Sequence, residues 1–221
     1  MTKTLPRSVN FIIDALNNTE VIDNTILTEI IKSAGLKEED LLAFNGFQHP
    51  DSESYGRQQL YGNDRYKILL MSWRPGDFTA IHDHGLVQWG CIWFFGKTIH
   101  RTYEIHEGKL CLEKCDVFEA GQISMLKGEL THMMGNGSGS NIITLHIYGS
   151  DTGAAFKEGR ARVFAPEDKK LYYTSGEAYL DICKQFVKQE EDFSAIDFDA
   201  MIDYVNLTKS FFQKRKRLIK I

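Results

Sequence analysis

Apolar residues recur three or four positions apart in the first fifty residues of the chain, a spacing typical of amphipathic helices. Two such stripes are separated by polar residues, and Gly35 follows the second, where a left-handed glycine commonly ends a helix. A third, short helix is predicted over residues 36–44. The first stripe consists of Phe11, Ile12, Ala15 and Leu16, and the second of Ile26, Leu27, Ile30 and Ile31.

From residue 65 to residue 150 the period changes, and short β-rich runs alternate with turn residues such as Pro75 and Gly76. About eight strands at this short and regular spacing favour a closed barrel or a double-sheet jelly roll. The predicted strands span residues 66–73, 79–84, 90–95, 98–106, 109–118, 122–126, 132–136 and 141–148.

Beyond about residue 174 the pattern again favours helices. Thr174 and Glu177 have the spacing of a capping box, and a further helix is predicted over residues 197–217, with its acidic residues early and its basic residues late. The apolar stripe predicted for that helix is Phe198, Ile202, Val205 and Phe212. The predicted parts of the chain are an N-terminal helical segment packed on the barrel (1–50), a β domain (51–170) and a C-terminal helical extension (171–221).

Composition and charge exclude several classes of protein. The 221 residues are enough for a sizeable core, and 26 basic against 30 acidic side chains give a net charge of −4, which provides no drive toward nucleic acid or anionic membranes. No apolar run is long enough for a transmembrane helix, and the first residues do not resemble a signal peptide. The four cysteines form no disulfide or zinc pattern. We expect a cytoplasmic protein with neither a nucleic acid nor a membrane as partner.

His82 and His84 stand one residue apart in the predicted strand 79–84. Residues i and i+2 of a strand point to the same face, so the two imidazoles project together. Several glycines, one more histidine and an asparagine accompany this pair at fixed distances, and this spacing is stronger evidence than the pair itself. The accompanying residues are Gly76, Gly96, Gly121, His132 and Asn136.

The spaced positions resemble the two sequence motifs of the cupins. In the first motif every position matches except a glutamate, where this chain has Trp89. In the second, the first glycine, the histidine and the asparagine match, whereas Lys127 and Glu129 replace a proline and an inner glycine. The resemblance implies an all-β fold, a cupin jelly-roll barrel, here with N-terminal and C-terminal helices.

Three neutral imidazoles, from His82, His84 and His132, would make an all-nitrogen metal site. Imidazole suits iron, copper, nickel or zinc, and a site with open positions favours Fe(II) oxygen chemistry. Because no carboxylate neutralises the metal, the substrate is left to supply the anion. A thiol is an apt donor, since a bound metal stabilises the thiolate.

Between about residues 50 and 165 the sequence resembles the cysteine dioxygenase family, the thiol-oxidising branch of the cupins. The resemblance implies Fe(II) as cofactor, bound by the three histidines, with a small thiol and O2 as partners. The segments that carry it are Tyr55-Gly-Arg57, Trp73 with Pro75 and Gly76, residues 81–85, Gly96, residues 132–136 and residues 144–148.

The same resemblance assigns roles to further residues. Arg57 is implied to hold the substrate carboxylate, with Tyr55 beside it, and a guanidinium can do so through two parallel hydrogen bonds. Tyr148 is implied to be the active-site tyrosine, oriented by His146 and Thr144, and these three share one face of a strand. No motif surrounds the remaining histidines, which are His49, His100 and His106.

One departure from the family concerns a crosslink. In its animal members a cysteine at the position of Trp89 is linked to the tyrosine, and a tryptophan cannot form that link. Cys91 has the same strand parity as Trp89 but is displaced by one pleat repeat, about 6.6 Å, so a link from Cys91 to Tyr148 stays open. Since many bacterial relatives lack the crosslink, we expect an enzyme of the bacterial type.

The expected function is a non-haem iron thiol dioxygenase that oxidises L-cysteine to cysteine sulfinic acid with O2. A 3-mercaptopropionate dioxygenase is an alternative, because such members tend to carry glutamine where Arg57 stands, and Gln58 and Gln59 are adjacent. A non-redox cupin isomerase or lyase is another, although those usually retain the carboxylate ligand, and a ligand-binding or sensing module is a third. The roles open to the C-terminal extension are packing on the barrel, a homodimer contact and a cover over the pocket.

Overall fold

Two antiparallel sheets face each other among the residues that the computed structural model describes, which are 3–126, 130–151 and 159–215. Their strands are β1 Gly56–Gly62, β2 Tyr66–Trp73, β3 Ile81–His82, β4 Trp89–Phe94, β5 Thr98–His106, β6 Lys109–Phe118, β7 Ile123–Met125, β8 Thr131–Gly135, β9 Ile142–Gly149, β10 Ala161–Ala165, β11 Lys170–Thr174 and β12 Gln189–Asp192. One sheet has the order β1-β2-β9-β4-β7, and the other the order β12-β11-β10-β3-β8-β5-β6.

Strand β9 shows how the sequence separates the core from the space between the sheets. It lies between β2 and β4, and all of its residues are buried. Ile143, Leu145 and Ile147 belong to the core outside the sheet, whereas His146 and Tyr148, on the opposite face, line a cavity between the two sheets. Because both faces of the strand are covered, His146 and Tyr148 point into an interior that is shielded from solvent.

Helices cover the outer face of each sheet. The first three, α1 (Arg7–Asn17), α2 (Asn24–Ser33) and α3 (Glu38–Leu42), pack on the five-stranded sheet, and α4 (Phe198–Lys214) packs on the seven-stranded one. Gly35, with a φ of 58°, follows α2 as predicted. The predicted all-β cupin jelly-roll barrel with N-terminal and C-terminal helices is confirmed. No helix in the described ranges combines the length and the apolar character needed to cross a bilayer.

The helix predicted to begin near residue 174 is wrong. Strand β11 ends at Thr174, whose hydroxyl accepts a hydrogen bond from the Gly176 N–H at 3.1 Å and donates one to the Glu177 carbonyl at 2.9 Å. The capping-box spacing therefore serves a turn, in which Gly176 has a φ of 109°. A short 3-10 helix and β12 follow before α4, and the boundary predicted after residue 170 falls inside β11. The division of the chain into three parts stays a prediction.

The apolar stripe predicted for the last helix is also wrong in part. Phe198 is 72% exposed and Ile202 is 39% exposed, although Phe212 is buried. The buried face instead includes Tyr204 and Thr208, whose hydroxyls are satisfied by the Glu167 carboxylate and by a carbonyl of the helix itself. Polar side chains with internal partners can be buried, and a purely apolar pattern misses them. The part of the predicted helix after residue 215 lies outside the described residues, and a homodimer contact through this helix stays a prediction.

Candidate metal centre and substrate cavity

Three histidines converge in the space between the sheets. His82 ends β3 and pairs with His132 of the neighbouring strand β8, and His84 follows two positions later on the same side. The imidazole centroids lie 4.5 Å apart for His82 and His132, 4.9 Å for His84 and His132, and 5.1 Å for His82 and His84. One nitrogen from each ring lies within 4.8 Å of the other two, so the three can hold one metal ion.

The hydrogen bonds of these rings leave lone pairs for a metal. The Nδ1 of His82 lies 3.0 Å from the carbonyl oxygen of Ala80, so this nitrogen carries the proton and Nε2 does not. The Nε2 of His132 and both ring nitrogens of His84 are buried and have no hydrogen-bond partner among the described residues. Burial lowers the pKa of all three rings, for His84 and His132 well below the ordinary range. Neutral imidazoles with unpartnered nitrogens fit a divalent transition metal.

His100, to which the sequence assigned no role, holds one of these rings in place. It lies on β5, and its Nε2 is 2.8 Å from the Nδ1 of His132. Burial lowers the pKa of His100 to about 4, so its ring is neutral at physiological pH. If Nε2 of His132 faces the metal, its Nδ1 carries the proton and His100 accepts the hydrogen bond, which fixes both tautomer and ring orientation.

A chain of hydrogen bonds ends at the hydroxyl of Tyr148. The indole N–H of Trp73 donates to the hydroxyl of Thr144 at 2.9 Å, which lies 2.7 Å from Nε2 of His146. Nδ1 of His146 is in turn 2.6 Å from the hydroxyl of Tyr148. An indole can only donate, and the buried Thr144 hydroxyl therefore gives its own proton to Nε2. His146 then donates from Nδ1, and the O–H of Tyr148 is left to point into the cavity.

Protonation states agree with this chain. Burial, together with the neighbouring His82 and Arg57, lowers the pKa of His146 to about 3, so the ring is neutral. Burial also raises the pKa of Tyr148 well above its ordinary value. The Tyr148 ring lies 4.6 Å from that of His84, which sets the phenol beside the three histidines. The tyrosine is thus a fixed hydrogen-bond donor at the centre.

The cavity beside the histidines is small. Its volume of about 40 Å³ is a few times what one water needs, so it accepts only a small ligand. Apolar side chains such as Leu69, Met71, Val87 and Met134 supply much of its wall. The residues with polar groups on the same wall are Tyr55, Arg57, Lys67, His82, His84, His132, His146 and Tyr148.

Arg57 is the residue of β1 that enters this cavity. It lies opposite the inward-facing Met71 of β2, and its Nε is buried without a hydrogen-bond partner in the described part of the chain. Gln58 and Gln59 are exposed and lie at a separate depression of the outer surface. Tyr55 is buried, and its ring stacks on Trp73 and Tyr179 with centroids 5.0 and 4.7 Å away. The structure therefore places Arg57, and neither Gln58 nor Gln59, in the cavity.

The strand opposite Tyr148 presents a glycine to it. Gly90, and not Trp89, pairs with Tyr148, and a Cβ at Gly90 would come within 2.9 Å of the phenol ring. Trp89 and Cys91 lie on the other face of β4, in the core beneath the N-terminal helices. The thiol of Cys91 is thus separated from Tyr148 by the sheet, and no carboxylate enters from this strand. Lys127 and Glu129 lie outside the described residues.

Several solved structures are similar over part of the chain. The Thermus thermophilus protein TT1209 is 16% identical with a TM-score of 0.40, and the match covers 52% of this chain and 95% of that one. For the cupin domain of Schizosaccharomyces pombe Cnp3 the identity is 7%, the TM-score 0.39 and the coverage 45% and 67%. For Bacillus subtilis oxalate decarboxylase the values are 17%, 0.33, 39% and 22%. Each similarity is confined to about half of this chain or less.

A family model provides the wider match. The model described as cysteine dioxygenase type I matches residues 2–152, well over half of the chain. The matched residues run from the N-terminal helices to the end of β9, and they include the three histidines, Arg57 and Tyr148. The chain belongs to the cysteine dioxygenase type I family.

Proposed function

We propose that the protein is a cytoplasmic iron thiol dioxygenase that oxidises L-cysteine to cysteine sulfinic acid. The observation that carries the proposal is the shared cavity of three converging, neutral imidazoles, one inward guanidinium and one phenol. A ferrous ion held by His82, His84 and His132 would supply the Lewis acidity that keeps the thiol deprotonated and the redox chemistry that activates O2. Both oxygen atoms go to sulfur, so the reaction needs no separate reductant.

The side chains of the cavity position the substrate. The guanidinium of Arg57 donates two parallel N–H hydrogen bonds to the substrate carboxylate, and its buried Nε–H is available for one of them. Tyr148, held by His146, donates its O–H toward the reacting groups without losing its proton. The apolar walls exclude water, which strengthens both interactions. The gain in rate comes from holding thiol and O2 in one geometry.

Two observations support L-cysteine over the other candidates. Arg57 enters the cavity while Gln58 and Gln59 stay outside, and thiol dioxygenases that prefer 3-mercaptopropionate tend to carry glutamine at the inward position. Gly90 supplies no carboxylate ligand, whereas non-redox cupins usually retain one. The absence of that carboxylate leaves the metal charge to be neutralised by a thiolate.

The proposal is tested by oxygen uptake of anaerobically iron-loaded protein with L-cysteine, with the sulfinate product quantified. We expect Arg57→Gln to raise the KM for cysteine about tenfold or more and to shift the preference toward 3-mercaptopropionate, because a bidentate contact is lost. Arg7→Gln, the same change on an exposed helix residue, is the matched control. Iron-bound protein that forms no sulfinate from about pH 6 to about 9 would contradict the proposal.

A further inference from the structure

A segment beyond the family-matched residues forms one wall of the cavity. We call residues 174–180 the strap, because this segment runs along the cavity directly after β11. Ser175, Gly176 and Ala178 line the cavity although the family match ends at residue 152. The strap is fixed by backbone contacts: the Ala178 N–H donates to the Tyr55 hydroxyl at 3.3 Å, and the Ala178 carbonyl accepts from the Ala80 N–H at 2.8 Å.

The strap brings a carboxylate to the substrate-binding arginine. Oε1 of Glu177 lies 3.9 Å from Nη1 of Arg57, and the two side chains are only 17% and 14% exposed. This separation is too long for a hydrogen bond, so Glu177 compensates the charge of Arg57 without occupying its donors. The guanidinium therefore stays available to a ligand.

Lys67 adds a second cation to the same wall. It lines the cavity and lies opposite Tyr148 in the pairing of β2 with β9. Burial and the charge of Arg57 lower the pKa of Lys67, and Glu177 opposes this effect, so the three charges act on one another. The cavity wall thus carries two cationic side chains, Arg57 and Lys67, and the carboxylate of Glu177 lies beside Arg57.

We infer that Glu177 is a specificity-determining residue that limits the cavity to thiols carrying one carboxylate. The inference rests on the proposed function and narrows its substrate class. Arg57 holds one carboxylate of the substrate. A second carboxylate placed near Arg57 meets the negative charge of Glu177, 3.9 Å from the guanidinium, and like charges in a partly buried site disfavour binding.

The test compares a monocarboxylate and a dicarboxylate thiol on iron-loaded protein under argon. Calorimetric titration gives the Kd of 3-mercaptopropionate and of 2-mercaptosuccinate for the wild type and for Glu177→Gln. We expect the ratio of the mercaptosuccinate Kd to the 3-mercaptopropionate Kd to fall about tenfold in the variant, because one repulsive charge is gone. Glu190→Gln, the same change at an exposed glutamate of β12, should leave the ratio unchanged.

A second variant tests whether the opposite change of charge on the same wall has the opposite effect on the Kd ratio. Lys67→Gln removes a positive charge from the same wall, and the ratio should rise. A ratio within twofold of the wild type in both variants overturns the inference, as does a wild type that binds 2-mercaptosuccinate as tightly as 3-mercaptopropionate. If 2-mercaptosuccinate binds the wild type too weakly to measure, the detection limit gives a lower bound for the ratio. Because the titrations exclude O2, they are independent of turnover: iron-loaded protein that binds the thiols as expected but forms no sulfinate from L-cysteine defeats the proposed function alone.

Discussion

At the scale of single residues, the contact between His100 and His132 has the clearest consequence for the metal. A ligating imidazole must keep one nitrogen unprotonated and its ring in one orientation. The 2.8 Å hydrogen bond from Nδ1 of His132 to Nε2 of His100 provides both, and burial keeps both imidazoles in their neutral form. Without that acceptor the buried N–H of His132 would have no partner, and the ring would be free to turn.

We expect His100→Leu to weaken metal binding by about 10- to 100-fold, the usual effect of losing such a partner. His100→Gln, which retains an acceptor oxygen, should restore most of the affinity. The measurement is Co(II) binding in competition with a chelator, with the visible spectrum of the bound ion as a report on ligand geometry. His106→Gln is the control, since His106 is exposed at the end of the same strand. Equal affinities for the leucine variant and the wild type would refute the role of His100.

The residues foreseen from the sequence are those whose relation is local. His82 with His84, and Thr144 with His146 and Tyr148, share a face because they are two positions apart on an extended chain. His100, Glu177 and Gly90 were missed because their partners come from strands distant in sequence, and neither a motif nor a period marks such contacts. The one indication in the sequence was the position of His100 within its strand, which places the side chain on the inward face of β5.

At the scale of elements, β3 depends on a side chain outside the site. The strand has only two residues, so its ladder alone holds the histidines weakly. Asp83, between them, accepts hydrogen bonds from the N–H groups of Arg162 and Gly85 at 2.8 and 3.0 Å and forms an ion pair with the guanidinium of Arg162. One buried carboxylate thus fastens the short strand to β10.

Asp83→Ala should lower the free energy of unfolding by about 2–4 kcal/mol, because two backbone N–H groups and a guanidinium lose their acceptor. It should also weaken Co(II) binding, since the backbone that carries His82 and His84 is loosened. Urea denaturation and chelator competition measure the two effects. Asp14→Ala, at an exposed carboxylate of α1, is the control. An unchanged urea midpoint together with unchanged Co(II) affinity would contradict this account.

Element prediction succeeded in the middle of the chain and failed at its end for a physical reason. Most strands from β2 to β9 have a buried face, β6 being the mostly exposed exception. Burial of one face imposes a period on the sequence. Strand β12, Gln189–Asp192, is fully exposed and mostly acidic, a composition that does not indicate a strand. It forms because β11 offers an edge and Lys170 lies between the carboxylates of Glu190 and Asp192. These contacts form only when parts of the chain that are distant in sequence come together, so the local sequence does not indicate them.

At the scale of the whole molecule, the layers place the histidines in a dry centre. Helices cover the outer face of each sheet, and the site lies between the sheets. Burial is the first cause of the lowered pKa of every histidine that lines the metal centre or touches it. The fold therefore provides neutral imidazoles at physiological pH, and a fall in pH lowers the free energy of unfolding.

The metal-free protein should lose stability as the pH falls below about 6.5. The pKa of His100 is lowered to about 4 and that of His146 to about 3, so an unfolded chain takes up protons that the folded chain refuses. Each such histidine should cost about 1.4 kcal/mol per pH unit until its folded pKa is reached. The urea midpoint of iron-free protein at a series of pH values measures the slope.

Two variants separate this effect from general acid sensitivity. His100→Gln removes one of the buried titrating groups and should make the slope shallower. His106→Gln removes an exposed histidine and should not. A urea midpoint that stays constant from about pH 7 to about 5 would show that burial of these rings does not govern the acid response.

The strap has a consequence for the order in which the molecule becomes competent during synthesis. The ribosome delivers all three metal-binding imidazoles, the guanidinium and the phenol well before the strap emerges. A chain that ends near residue 173 would lack the part of the cavity wall formed by Ser175, Gly176 and Ala178, together with the carboxylate of Glu177. The part of the wall to which selectivity is assigned is thus synthesised after every residue of the proposed reaction, and we expect a chain truncated before it to discriminate less between thiols.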